Sequence, residues 1–304
     1  MSRQSTIRPD GQWYKGNTHA HTHLSDGVLS PADLVERYRA LGYDFTAITD
    51  HRTYGVHEKL STTDFLVLPG VELDVRAAGG QGFCHHVVGL GLPGKNRLTH
   101  GQRIEYADDV TGADLVALLT RQGNFCIYAH PAWSHVRHEV MDSIDGFTGM
   151  EIYNNTCEVN SGCGFSDSWY DRMLWQGRKI WCIASDDTHQ HAVDYGGGFI
   201  MVKASSLNHA AIINGLQAGS FFASQGPLIE DFFVEAGQVH LLCSPCRSIG
   251  FQNDSNPGFA VNDDAGKLTA TSYKLSGQEQ YVRAVCVDTA GKKAWTQPIW
   301  LKES

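Results

Sequence analysis

The sequence predicts an α/β fold: a parallel barrel of alternating strands and helices over residues 1–226, followed by a small β-sandwich over 227–304. Three observations carry this. Short apolar runs alternate with helical patterns as far as Gly226, which is βα repetition. From Pro227 the pattern changes to alternating or β-rich runs broken by Gly, Asn and Asp. Finally, 304 residues that are 42% hydrophobic and 19% charged can bury a core of this size.

The elements follow in order. The run Tyr14 to Thr22 (YKGNTHAHT) reads as a strand running into a Ser25-Asp26-Gly27 turn. Ser30-Pro31 then supplies an N-cap and a first-turn proline for a helix through ADLVERYRALG, which stops at Gly42. The strand DFTAITD follows at once, and FLVLPGVE and FCHHVVGLG read as further strands. The same alternation recurs in GADLVALLTRQG before NFCIYAH, in SDSWYDRMLWQG before KIWCIAS, and in SLNHAAIINGLQAG before SFFAS. GMEIYNN adds one more strand, with Tyr153, Asn154 and Asn155 at its end either capping it or facing a pocket. After Pro227 the runs VHLLCS, GKLTATSYKL, QYVRAVCVD and AWTQPIWL contain hardly a helical stretch. No internal repeat or low-complexity segment is visible.

Composition narrows the function. The 33 acidic residues outnumber the 24 basic ones without a Lys/Arg cluster, so a nucleic-acid polymer is not an expected partner. No run approaches the ~20 apolar residues of a membrane span, and the first residues lack the apolar core of a signal peptide, so no membrane partner and a cytoplasmic address are expected. The eight cysteines show no disulfide framework, and Cys84, Cys126, Cys182 and Cys286 lie in apolar runs where a thiol acts as a small hydrophobe. Cys243 and Cys246 form the sole Cys-x-x-Cys. A zinc ribbon would need a second such pair, so these too read as buried reduced thiols.

The strand ends carry the chemistry. His19 and His21 are two apart on a strand, so both imidazoles can reach one ion from one face. Asp26, Asp50-His51, Glu72, His86, His130, and the pair Asp187 and His189 close or follow successive apolar runs. Barrel enzymes place their chemistry at such strand ends, and these side chains are divalent-metal ligands. His85 and His86 compete for one place, since alternation sends neighbours to opposite faces. Asp50 and Asp186 read as acceptors orienting imidazoles rather than ligands. Arg52 and His23 are candidates for contact with a substrate anion, against a surface arginine and a turn histidine. His57, His100, His135, His138, His191, His209 and His240 read as surface, loop or satisfied core residues.

The string His19-Ala20-His21-Thr22 through Ser25-Asp26-Gly27, Thr49-Asp50-His51, Pro69-Gly70-Val71-Glu72, His86, Ala129-His130-Pro131 and Asp187-Thr188-His189 resembles the PHP (polymerase and histidinol phosphatase) superfamily in order and spacing. The resemblance covers roughly residues 15 to 226 and favours His86 over His85. The tail, with Arg283 and the stretch Gly291 to Pro298, resembles the β-rich C-terminal domain of a carbaryl-hydrolase-like branch. The resemblance implies a distorted (β/α)7 barrel with two to three divalent ions, of zinc, manganese or iron. His19, His21, Glu72 and Asp187 would hold one ion, and Glu72, shared, would join His86 and His130 on a second. Asp26, His51 and His189 would hold the third, with Glu72, Asp187 and His189 expected nearest the catalytic chemistry. Three carboxylates set about −3 against about +6 from three ions, which suits a small anionic substrate such as a phosphate ester despite the net charge of −9.

The expected function is therefore a metal-dependent phosphoesterase that uses a metal-bridging hydroxide on a small phosphorylated metabolite or nucleotide. A carbamate, amide or ester hydrolase of the carbaryl-hydrolase type is the alternative, and a non-catalytic PHP-like binding module the second.

Overall fold

The computed structural model describes residues 3–76, 82–190, 193–255 and 258–302. His191 lies outside them. The architecture is mixed α/β with one large sheet, a smaller sheet and few helices. The strands of the first part are β1 (Gln12–Asn17), β2 (Phe45–Ile48), β3 (Leu66–Arg76), β4 (Cys84–Gly91), β5 (Asn124–Tyr128), β6 (Gly149–Asn154), β7 (Trp181–Ser185), β8 (Phe199–Ala204) and β9 (Phe221–Ser224). The helices are α1 (Pro31–Ala40), α2 (Gly112–Arg121), α3 (His138–Asp142), α4 (Asn155–Ser161), α5 (Asp167–Trp175) and α6 (His209–Gln217). None of the described helices is long and apolar enough to cross a membrane.

Local chemistry sets the helix starts. Ser30 caps α1 by accepting from the Asp33 amide, and Pro31 fills the first turn where no amide partner is needed. Thr111 and Asp114 form a reciprocal capping box on α2. Asn208 caps α6 through the Ala211 amide. Gly16 in β1 is fixed by space, since a Cβ there would lie 2.0 Å from the Phe45 ring.

Strand direction departs from the all-parallel expectation. β1–β2, β2–β3, β5–β6 and β6–β7 are parallel, whereas β3–β4 and β4–β5 are antiparallel. Only a short connection separates β3 from β4, too short for the crossover that a parallel neighbour requires. β8 and β9 are antiparallel as well, β8 lying on the other side of β1. The last strand of the sheet, β7, returns to the first: Ala20 bridges Thr188 in parallel, the Asp187 amide donates to His19 O at 2.9 Å and the His21 amide to Thr188 O at 3.0 Å.

The second part comprises β10 (Ile229–Glu235), β11 (Gln238–Cys246), β12 (Ser248–Asn253), β13 (Phe259–Asn262), β14 (Leu268–Lys274), β15 (Tyr281–Val287), β16 (Lys293–Thr296) and β17 (Ile299–Trp300). β10, β11 and β14 form the smaller sheet. β16 pairs with β9, so β13, β12, β15 and β16 continue the large sheet of the first part. A second apolar core, with Phe232, Leu241, Ile249, Phe251 and Val282, is shared between strands of the two sheets. Polar contacts reinforce the join. The Gln297 amide accepts from Cys182 N at 2.8 Å and donates to Cys182 O at 2.9 Å, giving β7 a substitute neighbour. Buried Arg283 reaches Asp171 on α5 at 2.5 Å, and Trp295 Nε1 donates to Asp167 at 3.2 Å.

Candidate metal centre

The ends of these strands bring nine side chains into one basin: His19, His21, Asp26, His51, Glu72, His86, His130, Asp187 and His189. Glu72 in β3 lies at its centre. Five imidazole nitrogens surround its buried carboxylate: His19 at 3.3 Å, His21 at 3.2 Å, His51 at 3.3 Å, His86 at 3.0 Å and His130 at 3.5 Å. Asp187 Oδ1 stands 3.2 Å from His19 Nε2 and 3.1 Å from His21 Nε2. At the mouth, half-exposed Asp26 faces His189 Nε2 at 3.4 Å and His51 Nε2 at 3.7 Å. The groups of ligand atoms share members, since His21 also joins Asp26, His51 and His189, while His130 converges with His19 and Asp187. The geometry is one continuous basin rather than three separate sets.

Hydrogen bonds fix which nitrogen faces inward. His19 Nδ1 donates to Glu151 Oε1 at 2.8 Å, leaving the Nε2 lone pair directed at the basin. His189 Nδ1 donates to Asp187 O at 2.7 Å, with the same result, and His130 Nδ1 meets Ser134 Oγ at 3.0 Å, which turns Nε2 of that ring towards Glu72. His19 Nε2 and His21 Nε2 approach to 3.1 Å, so acceptor atoms converge on one point. Asp187 Oδ1 is buried without a hydrogen bond. A buried carboxylate oxygen so placed, beside two imidazole nitrogens, suits a cation, and the mixed nitrogen and oxygen donors fit zinc, manganese or iron. The backbone is also held out of its easy range here: Arg52, His130 and Asp187 have φ of 57°, 28° and 54°, rare for residues other than glycine.

Electrostatics accord with this. Burial pushes the Glu72 carboxyl up, but the surrounding His19, His51 and His86 charges override it and hold it well below the usual range. Burial lowers His189, yet Asp26 and Asp187 raise it to about 9. A cavity of about 350 Å³ opens beside this set and is bounded by Trp133, Thr156, Cys157 and Asn160.

The structure separates His86 from His85 and moves several other candidates from the places read in the sequence. His86 faces Glu72, while His85 Nδ1 meets the Tyr128 hydroxyl at 2.5 Å on the opposite face, where burial lowers its pKa to about 4. Among the described residues Asp50 orients no imidazole; it accepts from Thr22 N, Thr22 Oγ1 and Ser25 Oγ and so shapes the turn carrying Asp26. Asp186 accepts from the amides of Gly196, Gly197 and Gly198 and from Tyr38, and burial raises its carboxyl to about 7. His23 is exposed and outside the basin, its ring 3.3 Å from Leu29 O, because the turn begins there and ends the strand alternation. Arg52 lies near the basin, but its guanidinium binds Asp74 through Nε at 3.0 Å and Nη2 at 3.1 Å and stacks over Tyr106.

Two neighbours of the basin went unread. Glu151 is a lone carboxylate inside the apolar strand β6, which was the available signal; it holds His19, the His130 amide and Asn154. Asp74 lies two residues beyond Glu72, hence on the same face of β3, and comes within 3.4 Å of His51. Asn154, read from the sequence as a strand cap or a pocket residue, caps α4 through Cys157 N and donates to Asp187 Oδ2 at 3.1 Å.

No family model matches the chain. It is 41% identical over 68 residues to an uncharacterized protein of Methanocaldococcus jannaschii, a match covering 18% of this chain; the chain spans 31% of that relative's length. An amidohydrolase from Chromobacterium violaceum is similar over 59% of this chain and 89% of its own, at 16% identity and a TM-score of 0.44. A two-domain protein from Bacteroides vulgatus, containing a predicted PHP-like metal-dependent phosphoesterase, is similar over 99% of this chain and 100% of its own, at 16% identity and a TM-score of 0.51. With sheet and basin thus arranged, the chain shares the fold of that two-domain, PHP-like protein.

Proposed function

We propose that the chain is a metal-dependent phosphoesterase of the PHP type that cleaves a small phosphorylated metabolite or nucleotide with two or three divalent ions. In this reading β1 to β7 form a distorted barrel, residues 1–226 carry the reaction, and 227–304 form a sandwich that braces it. The observation that supports it is Glu72, one buried carboxylate ringed by five imidazole nitrogens at 3.0 to 3.5 Å.

Glu72 would be shared between neighbouring ions, with His19, His21 and Asp187 on one side and His86 and His130 on the other. Asp26, His51 and His189 would hold a further ion at the mouth. Bound divalent ions would supply Lewis acidity and bring the pKa of a coordinated water towards neutrality. Glu151 keeps the His19 proton on Nδ1, so that Nε2 stays a ligand. Asn154 holds Asp187 Oδ2 and so aims Oδ1 into the basin. Asp74 neutralises Arg52, and Glu105 pairs with Arg103, so Arg76 on the neighbouring groove is the cation placed to attract an anion.

Elemental analysis of the purified protein, joined to a matched panel of chromogenic phosphate esters, carboxylic esters and carbamates, tests this. Transition metal with phosphate-ester turnover is expected. Turnover confined to carbamates or carboxylic esters would instead assign the carbaryl-hydrolase type of chemistry, and a protein that stays inactive after metal reconstitution would overturn the enzyme reading.

A further inference from the structure

We propose that Cys243, Cys246 and Cys286 form a second metal site, a three-sulfur pocket for the thiophilic monovalent ion Cu(I), separate from the histidine and carboxylate basin. The three sulfurs lie within 4.8 Å of one another, and all three residues are buried. Three metal–sulfur bonds of about 2.3 Å in a trigonal arrangement place sulfurs about 4.0 Å apart, which fits that spacing. Among the described residues no histidine or carboxylate completes this group. The tetrahedral set that zinc requires is thus absent, whereas soft thiolates alone favour Cu(I).

The backbone is shaped to make the trio. In a regular strand, residues three apart face opposite sides, so Cys243 and Cys246 should point apart. The register of β11 against β14 shifts between Leu242 and Cys246, with Pro245 exposed at the shift. This irregularity turns both thiols to the same side, where β15 of the large sheet presents Cys286 between Ile249 and Ala294. The proposed ion would join the smaller sheet to the larger one. Each thiolate that forms releases one proton to solvent and exchanges an S–H bond for a metal–sulfur bond. Copper enters and stays as Cu(I), so no electron changes hands. Simple packing of small hydrophobes would explain three buried thiols, but it requires neither the shift in β11 nor the convergence of the three sulfurs on one point.

The site is independent of the phosphoesterase reading. The test is anaerobic titration of the full-length protein with Cu(I) against a chromogenic Cu(I) chelator, followed by X-ray absorption at the copper edge. One retained equivalent with a shell of three sulfurs is expected. That equivalent should be lost in Cys246→Ser and in Cys286→Ser, kept in Glu72→Gln, and accompanied by unchanged divalent-metal content in the cysteine variants. A nitrogen or oxygen shell, failure to hold copper against the chelator, or an equivalent that survives in both cysteine variants would overturn the proposal. Should a variant misfold, the absorption spectrum of the unaltered protein decides by itself.

Discussion

The metal basin and the cysteine trio gather ligand side chains by opposite means. In the basin, ligands stand at the ends of separate strands, and strained backbone at His130 and Asp187 together with buried partners such as Glu151 aims them. In the trio, ligands stand within strands, and a register shift in β11 together with the packing of two sheets aims them. The first arrangement concentrates charge that has to be balanced; the second adds almost none until a proton leaves. A charged cluster is therefore expected to be sensitive to single substitutions, and a thiol cluster to be tolerant of them unless metal is bound.

Substituting the centre of the basin should have the largest effect. Glu72→Gln is expected to lower turnover by orders of magnitude with the circular dichroism spectrum unchanged, because the shared ligand loses its charge while its shape is kept. Turnover near that of the parent protein would remove the contrast between the regions.

The join between the two parts comes next. Arg283→Ala leaves Asp171 without its partner and is expected to cost about 3–5 kcal/mol in denaturant unfolding, while turnover per folded molecule stays the same. A loss of turnover without a loss of stability would place the reaction's requirements in the tail.

Glu151→Gln should weaken metal retention by about 10–100-fold in competition with a chelator, with turnover restored at saturating metal. Turnover that stays low at saturating metal would instead give Glu151 a direct part in the chemistry.

The smallest effect should lie far from both clusters. His209 Nε2 donates to Gly91 O at 2.7 Å, and burial lowers its pKa below the ordinary value. The folded state thus binds the proton less well than the unfolded one. Its contribution is fully present above the unfolded pKa of about 6.5 and is lost as pH falls through the lower folded value. His209→Asn should flatten that part of the stability profile, and an unchanged slope there would remove His209 from the account.

The sequence made the basin readable because each ligand follows an apolar run, and strand-end placement survives errors in strand direction. His86 sits opposite Asp74 on an antiparallel neighbour, yet alternation still sends it inward. Glu151 was hidden because its charge lies in mid-strand, where only the partner His19, distant in sequence, explains it. The antiparallel turn of β4 depends on the short connection before it rather than on any residue in the strand. The cysteine trio could not be read from sequence, since the Cys-x-x-Cys spacing suggests opposite faces until the shift in β11 is seen.

The side-chain amide of Gln297 also bears on how the molecule folds. It lends two hydrogen bonds to Cys182 in β7 across a sequence separation of 115 residues. Contacts between such distant segments close against a large loop entropy and form slowly. β7, whose end carries Asp187 and His189, should therefore gain its last backbone partners late. During refolding the Cys182 amide is expected to be among the last protected from hydrogen exchange, so the metal basin would become complete only after the tail has docked.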